Sequence, residues 1–245
     1  MAAWKRRIIW TSAAFVVLII GVAVMLLLPT TTLQGVNYRV TAYTIPAYVK
    51  ALDFVQRHYQ YRLQVSRICA AKTSEADCTM AIFDWTHEHI PPTPPGWPVI
   101  DDHPLHIIIR GHGKDDQIAD VFVTLTDYAG VPAFFKFVTD QSHRTLVVLA
   151  FASLDGRWVT FDVRNHIAFR NRGGRLASVD ELVNDPSLVD GQTQGLLHDG
   201  LPYSTFISRQ TLMPFTVPHP LRGEMQQPWA RTRYELRKAV GWERE

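Results

Sequence analysis

Between Ile8 and Leu28 the chain carries no charged residue. A run of about 21 such residues, at about 1.5 Å of rise each, reaches across the ~30 Å hydrocarbon core of a bilayer. The rest of the chain must then fold as a tethered domain on one side of a membrane. Lys5, Arg6 and Arg7 stand immediately before the run, whereas Pro29 to Asn37 after it are uncharged. The excess of cations on the N-terminal side predicts a cytoplasmic N-terminus and an outward-facing domain. A secretory signal peptide is the rival reading, but its apolar region is shorter, about 7 to 15 residues, and no small-x-small cleavage site stands between Met25 and Thr32. No cysteine follows the run, which speaks against a lipoprotein anchor.

The chain of 245 residues leaves enough length after this anchor for one well-buried domain. A formal net charge of +2 offers no concentrated excess of Lys and Arg for phosphate backbones, so nucleic acid is not an expected partner. Only Cys69 and Cys78 are present. Outside the cytoplasm their spacing suits a local disulfide. A reactive thiol is the alternative, although neither cysteine follows a glycine turn into a helix, where a thiolate is favoured.

After a polar linker or edge segment over Thr30 to Val40, Val49, Leu52, Val55, Tyr59, Leu63 and Ile68 recur at helical spacing and predict a long amphipathic helix over 47–71. A second helix is expected over 74–90, with Ala81, Ile82, Trp85 and Ile90 inward. It must stop at Pro91-Pro92-Thr93-Pro94-Pro95-Gly96-Trp97-Pro98, which reads as a stiff loop, or as a polyproline ligand for a partner. A third helix is expected over 114–129, entered through Arg110-Gly111-His112-Gly113, left through Gly130-Val131-Pro132-Ala133, and striped by Ile118, Val121, Phe122 and Leu125. Strands are expected over 134–139, 145–151 and 157–163, the last two joined by the hairpin signal Asp155-Gly156. Helices first and an antiparallel sheet afterwards predict an α+β domain with helices packed on one face of the sheet. Beyond Phe169 a short helix over 179–183 and a final Arg-rich helix over 229–240 stand out from otherwise irregular chain. The expected organisation is an anchor over 1–30, a domain over 31–184 and a C-terminal extension over 185–245.

A helix entered through Gly113 and left through Gly-Val-Pro-Ala, followed by the hairpin Leu154-Asp155-Gly156-Arg157-Trp158-Val159-Thr160-Phe161-Asp162, resembles the transglutaminase-like superfamily. The resemblance covers roughly Val40 to Asn184 and implies a papain-like core. In active members a cysteine begins the central helix, where orphan amides and the helix dipole favour a thiolate. A histidine on the strand before the Asp-Gly turn acts as base, and an aspartate on the strand after it orients that histidine. Transferred to this chain, Gly113 matches the turn glycine and Asp162 the orienting aspartate. Asp115 stands at the nucleophile position and Val147 at that of the histidine. His143 shares the parity of Val147 but lies roughly 13 Å along the strand from it.

The resemblance therefore implies a degenerate triad of Asp115, His143 and Asp162. Its first reading is an inner-membrane protein of a bacterium whose periplasmic domain has lost thiol catalysis and binds or scaffolds a peptide or envelope polymer. Its second is an amide hydrolase or acyltransferase using Asp115 or Asp116 with His143 and Asp162. Its third is an accessory subunit of a membrane assembly that makes or exports polysaccharide, held through the anchor and the C-terminal helix. Asp115 also has a purely stabilising reading, as a carboxylate serving orphan amides at a helix start for about 1 kcal/mol. His103, His106 and His112 with Asp101 or Asp102 fit no firm metal-ligand spacing, so neither metal nor cofactor is expected.

Overall fold

The computed structural model describes residues 2–101, 103–140, 145–193 and 195–242. Helix α1 (Ala2–Leu27) contains Ile9–Leu27, 19 residues of mean hydropathy 2.5 with none buried, long and apolar enough to cross a membrane. The segment expected to be a linker or an edge segment is a hairpin of β1 (Pro29–Val36) and β2 (Arg39–Pro46), paired from Pro29↔Pro46 to Val36↔Arg39, with β2 at the sheet edge. Asn37 and Tyr38 turn it with φ of 49° and 65°, the two positive values of a type I′ loop. The Ala47 amide then donates to the Leu28 carbonyl at 2.9 Å, so helix α2 (Ala47–Ile68) starts beside the end of α1.

The expected apolar stripe of α2 faces outward. Leu52 is 64% and Tyr59 62% exposed, whereas Arg57, Tyr61 and Val65 are buried. Polar partners decide this: Arg57 pairs with Asp53 at 3.2 Å, His58 Nδ1 lies 3.0 Å from the Tyr128 hydroxyl, and the Leu105 amide donates to Tyr61 Oη at 2.9 Å. Helix α3 (Glu75–His89) is capped by Ser74, whose hydroxyl accepts from the Asp77 amide. It buries Ile82 with Phe83, while Ala81 and Trp85 are half-buried. Cys69 and Cys78 form a disulfide between α2 and α3, their Cα atoms 5.1 Å apart, and the free-thiol alternative falls away.

Strand β3 (Ile100–Asp101) pairs with β1, and helix α4 (Pro104–Arg110) ends on Gly111 at φ 72°. Helix α5 (Asp115–Tyr128) is buried along all of Gln117 to Asp127, not along one stripe. It lies between α2, α3 and α4 on one side and the sheet on the other. That sheet is β4 (Ala133–Thr139), β5 (Leu146–Leu154), β6 (Arg157–Asp162) and β7 (Ile167–Ala168), antiparallel in sequence order. Asp155 and Gly156, at φ 51° and 72°, make the expected hairpin turn.

Side chains alternate across a strand, and β5 uses both faces. Ala150 and Ala152, small enough for a helix to approach closely, join the core with α5, while Val147, Leu149 and Phe151 join a second core on the opposite face. Helices thus pack on one face as expected, and the other face is covered too. The cover comes from α6 (Val179–Asn184), α7 (Ser187–Thr193), the two-residue strands β8 (Leu197–His198) and β9 (Leu201–Pro202), a turn at Tyr203–Thr205, and α8 (Arg209–Leu212). Val189, Tyr203, Phe206, Ile207 and Leu212 are buried there, so the stretch expected to be irregular supplies a large share of this second core. Helix α9 (Pro228–Ala239) ends the described chain beside α2, with the Arg231 guanidinium 5.8 Å from the Phe54 ring centre.

Candidate functional site

The first turn of α5 is fixed by short-range bonding. The Gly113 amide donates to the Pro91 carbonyl at 3.1 Å, and the Thr93 amide donates to the Gly113 carbonyl at 2.8 Å. The proline run, which cannot extend a helix, thereby pairs with the loop that enters α5. A Cβ at Gly113 would stand 3.0 Å from Gln117 Cβ and 3.3 Å from Ile107 Cγ2, so the close approach favours glycine. Gln117 completes the turn, accepting from the Lys114 amide at 3.0 Å and donating to the Ile100 carbonyl at 2.6 Å.

Asp115 is the first residue of α5 after the N-cap position at Lys114. Its Oδ1 accepts from Arg164 Nε at 3.1 Å instead of serving an orphan amide. The helix dipole still favours a negative charge there. Both side chains are half exposed, so the ion pair contributes at most about 1 kcal/mol.

Asp162 ends β6 at 1% exposure. Its Oδ1 accepts from the Asn165 amide at 3.0 Å, and its Oδ2 accepts from Asn165 Nδ2 at 2.8 Å and from the Tyr203 hydroxyl. Burial pushes its carboxyl up to about 6, against the Asn165 hydrogen bonds, and the charge of Asp115 adds to the rise.

Asp115, Val147, Asp162, Arg164, His198 and Tyr203 line one crevice at the end of the sheet. The positions named for nucleophile, base and orienting aspartate are thus together, holding carboxylate, isopropyl and carboxylate. His143 lies outside the described residues. About 10 Å³ remains in the crevice, room for one water and for no polymer segment. Arg164 stands beside Asp115, and three donors surround the Asp162 carboxylate. This arrangement pairs one carboxylate with a guanidinium and surrounds the other with hydrogen-bond donors. It contains no thiol, since both cysteines of the chain lie in the disulfide.

Arg164 and Asn165 stand two and three residues after Asp162, so the run Asp-Val-Arg-Asn was a usable local signal. Tyr203 and His198 arrive from a stretch without a motif. The three histidines before α5 do not converge: the His103 and His106 rings lie 6.2 Å apart, whereas His112 packs edge-on to Trp97 and bonds Thr93 Oγ1 at 3.2 Å. Asp102 lies outside the described residues. Among the described residues no group of three or more His, Cys, Asp or Glu side chains is placed to hold a metal.

No protein-family model and no curated protein matches this sequence. Among solved structures, a provisionally assigned cysteine protease from Cytophaga hutchinsonii is similar at a TM-score of 0.39 and 12% identity, over 56% of this chain and 53% of that one. A provisionally assigned protease from Parabacteroides distasonis gives 0.36 and 17%, over 50% of this chain and 28% of its own. A transglutaminase structure gives 0.37 and 13%, over 58% and 45%. This chain therefore spans about half or less of the length of each.

Proposed function

We propose that this protein is a membrane-anchored, outward-facing module of the bacterial cell envelope. Its transglutaminase-like domain has lost thiol catalysis and serves to bind or scaffold. One observation carries the reading: the residue at the nucleophile position, Asp115, is neutralised by Arg164 at 3.1 Å, and Val147 shares its crevice where a base is needed. A carboxylate paired with a guanidinium is a weak nucleophile, and general-base catalysis needs a group within hydrogen-bond reach. The Cys69–Cys78 disulfide supports an oxidising compartment. The uncharged helix Ile9–Leu27 with cations before it supports retention at the inner membrane with the N-terminus inside.

The test is direct. Purified full-length protein with its natural Asp115 is offered a glutamine donor peptide and an amine probe, and no acyl transfer is expected. Transfer above a heat-treated control ends the proposal.

A second reading is favoured by α9. Trp229, Leu236 and Val240 lie on one side of this helix and are exposed, Trp229 at 82%, among Arg231, Arg233, Arg237 and Lys238. Such a face suits an accessory subunit that docks on a membrane assembly handling polysaccharide. Co-purification from gently solubilised membranes, with and without residues 1–30, separates the two: a stable stoichiometric partner that survives deletion of the anchor favours the subunit.

A further inference from the structure

A larger concavity than the crevice, sharing none of its lining residues, lies elsewhere among the described residues. It is a groove of about 530 Å³ between the β1–β2 hairpin, α2 and α4, within the size range of small-molecule sites. Its direction follows from the chain. The Ala47 amide donates to the Leu28 carbonyl, so hairpin base and α2 both start where α1 ends. Ile45 and Val49 line the end of the groove next to α1, and Leu33, Val40 and Tyr43 continue its apolar wall. Arg57 lies ten residues into α2, about 15 Å from that base.

Arg57 supplies the observation that points to a ligand. It is only 5% exposed, yet Nη1 has no hydrogen-bond partner. Nε donates to the Asp53 carbonyl at 3.4 Å and Nη2 pairs with the Asp53 carboxylate at 3.2 Å, so Nη1 alone of the guanidinium nitrogens is unbonded. A buried charged donor without a partner is destabilising, and an acidic group would offset that through charge-assisted bonds. The other charges along the groove are held in place. Lys50 Nζ donates to the Thr31 carbonyl at 2.7 Å, and Arg222 pairs with Asp120 at 2.8 Å. His103 also lines it, and burial holds that imidazole down near 4, so it is neutral and able to accept or donate without adding charge.

We infer that this groove takes an acidic phospholipid of the adjoining bilayer, its phosphate headgroup at Arg57 and Lys50 and the start of one acyl chain along Val40, Tyr43 and Val49 toward the membrane. An apolar path that begins at the anchor and ends on an unsatisfied guanidinium matches an amphiphile lifted headfirst from a leaflet. The inference deepens the binding-module reading and rests on it for the membrane source of the ligand.

The experiment uses the full chain in a neutral detergent and a lysophosphatidylglycerol carrying a photoreactive acyl chain. Saturable labelling of the peptides containing Leu33, Val40 and Tyr43 is expected, weakened about tenfold or more in Arg57→Gln. Val40→Glu guards against a folding defect: Val40 is 64% exposed, and a carboxylate there makes the acyl path polar without opening the core. It too is expected to lose labelling. Labelling elsewhere, equal labelling by the zwitterionic choline analogue, or full competition by inorganic phosphate each overturns the inference, the last by pointing to a free anion instead. Because the probe is offered in solution, its failure counts against the groove alone. The anchor is judged separately, by whether the chain stays in membranes through an alkaline carbonate wash.

Discussion

Arg164 Nε stands 3.1 Å from Asp115 Oδ1, across the gap between the last strand residue of β6 and the first turn of α5. The two residues are 49 apart in sequence, and their ion pair closes one side of the crevice that also holds Val147 and Asp162.

That closure predicts the behaviour of Asp115→Cys. A thiol there gains the helix dipole and the Arg164 charge, both of which favour the thiolate. It is expected to react with iodoacetamide at pH 7 faster than free cysteine, with the Cys69–Cys78 pair untouched. Adding Arg164→Ala is expected to slow that reaction. Peptide mass spectrometry over a time course reads both, and an introduced thiol no more reactive than the free amino acid would remove the electrostatic account.

Asp162 makes a separate prediction. Tyr203→Phe removes one of three donors to a carboxylate that is almost wholly buried. The loss is expected to cost about 1–3 kcal/mol near neutral pH. A smaller penalty is expected at pH 4, where the carboxyl, raised to about 6 in the folded state, is protonated and needs fewer donors. Urea denaturation at the two pH values measures the difference, and equal penalties would show that Tyr203 acts by packing alone.

The orientation of α2 can be checked by surface substitution. Leu52→Ser and Tyr59→Ser alter residues that face outward, so each is expected to change stability by no more than about 0.5 kcal/mol. Tyr61→Ala empties a fully buried site and frees the Leu105 amide, and is expected to cost about 3 kcal/mol or more. If Leu52→Ser were the costlier change, the helix would be turned the other way.

That inversion shows where the sequence could be read and where it could not. Asp155-Gly156 is a hairpin signal complete within two residues, and the turn forms there. The Asn37-Tyr38 turn has the same geometry but puts a tyrosine at φ 65°, so no local pattern marked it. For α2, six apolar residues at helical spacing outweighed a face containing Arg57 and His58. The inward placement of those two depends on Asp53 and on Tyr128, the latter 70 residues from His58, which no periodicity can report. The second core left one trace: the apolar run Leu146 to Phe151 suits a strand buried on both faces. The crevice is similar. The resemblance pointed to Asp115, Val147 and Asp162, which line one crevice, whereas Tyr203 reaches Asp162 from 41 residues downstream without any motif.

Gly223 is required by a neighbour, not by its own backbone. A Cβ built there would fall 2.5 Å from the Cβ and 2.7 Å from the Cγ of Asp127, which is itself buried at the end of α5. Neither group can yield easily, because the Asp127 Oδ1 accepts from the Ala133 amide at 3.0 Å and so braces the turn between α5 and β4. Gly223→Ala is therefore expected to destabilise the fold by about 1–3 kcal/mol, as overpacking does. Thermal unfolding of the variant reads this, and an unchanged midpoint would mean that the 223 segment lifts away from α5 at no cost.

The same carboxyl sets a pH dependence. Burial pushes Asp127 up to about 8, with the hydrogen bond from Ala133 opposing and the charge of Glu224 adding to the rise. An acid whose folded value lies above its ordinary 3.8 holds its proton more tightly when folded, so its contribution to stability is complete below about pH 4. That contribution falls as pH rises and is lost by about pH 8, once the folded carboxyl ionises too. Asp127→Asn cannot ionise. Its denaturation midpoint is expected to vary less between pH 5 and 8 than that of the natural chain, whatever the change in absolute stability. Parallel midpoint curves for the two proteins would mean that Asp127 is already charged in the folded state at pH 5.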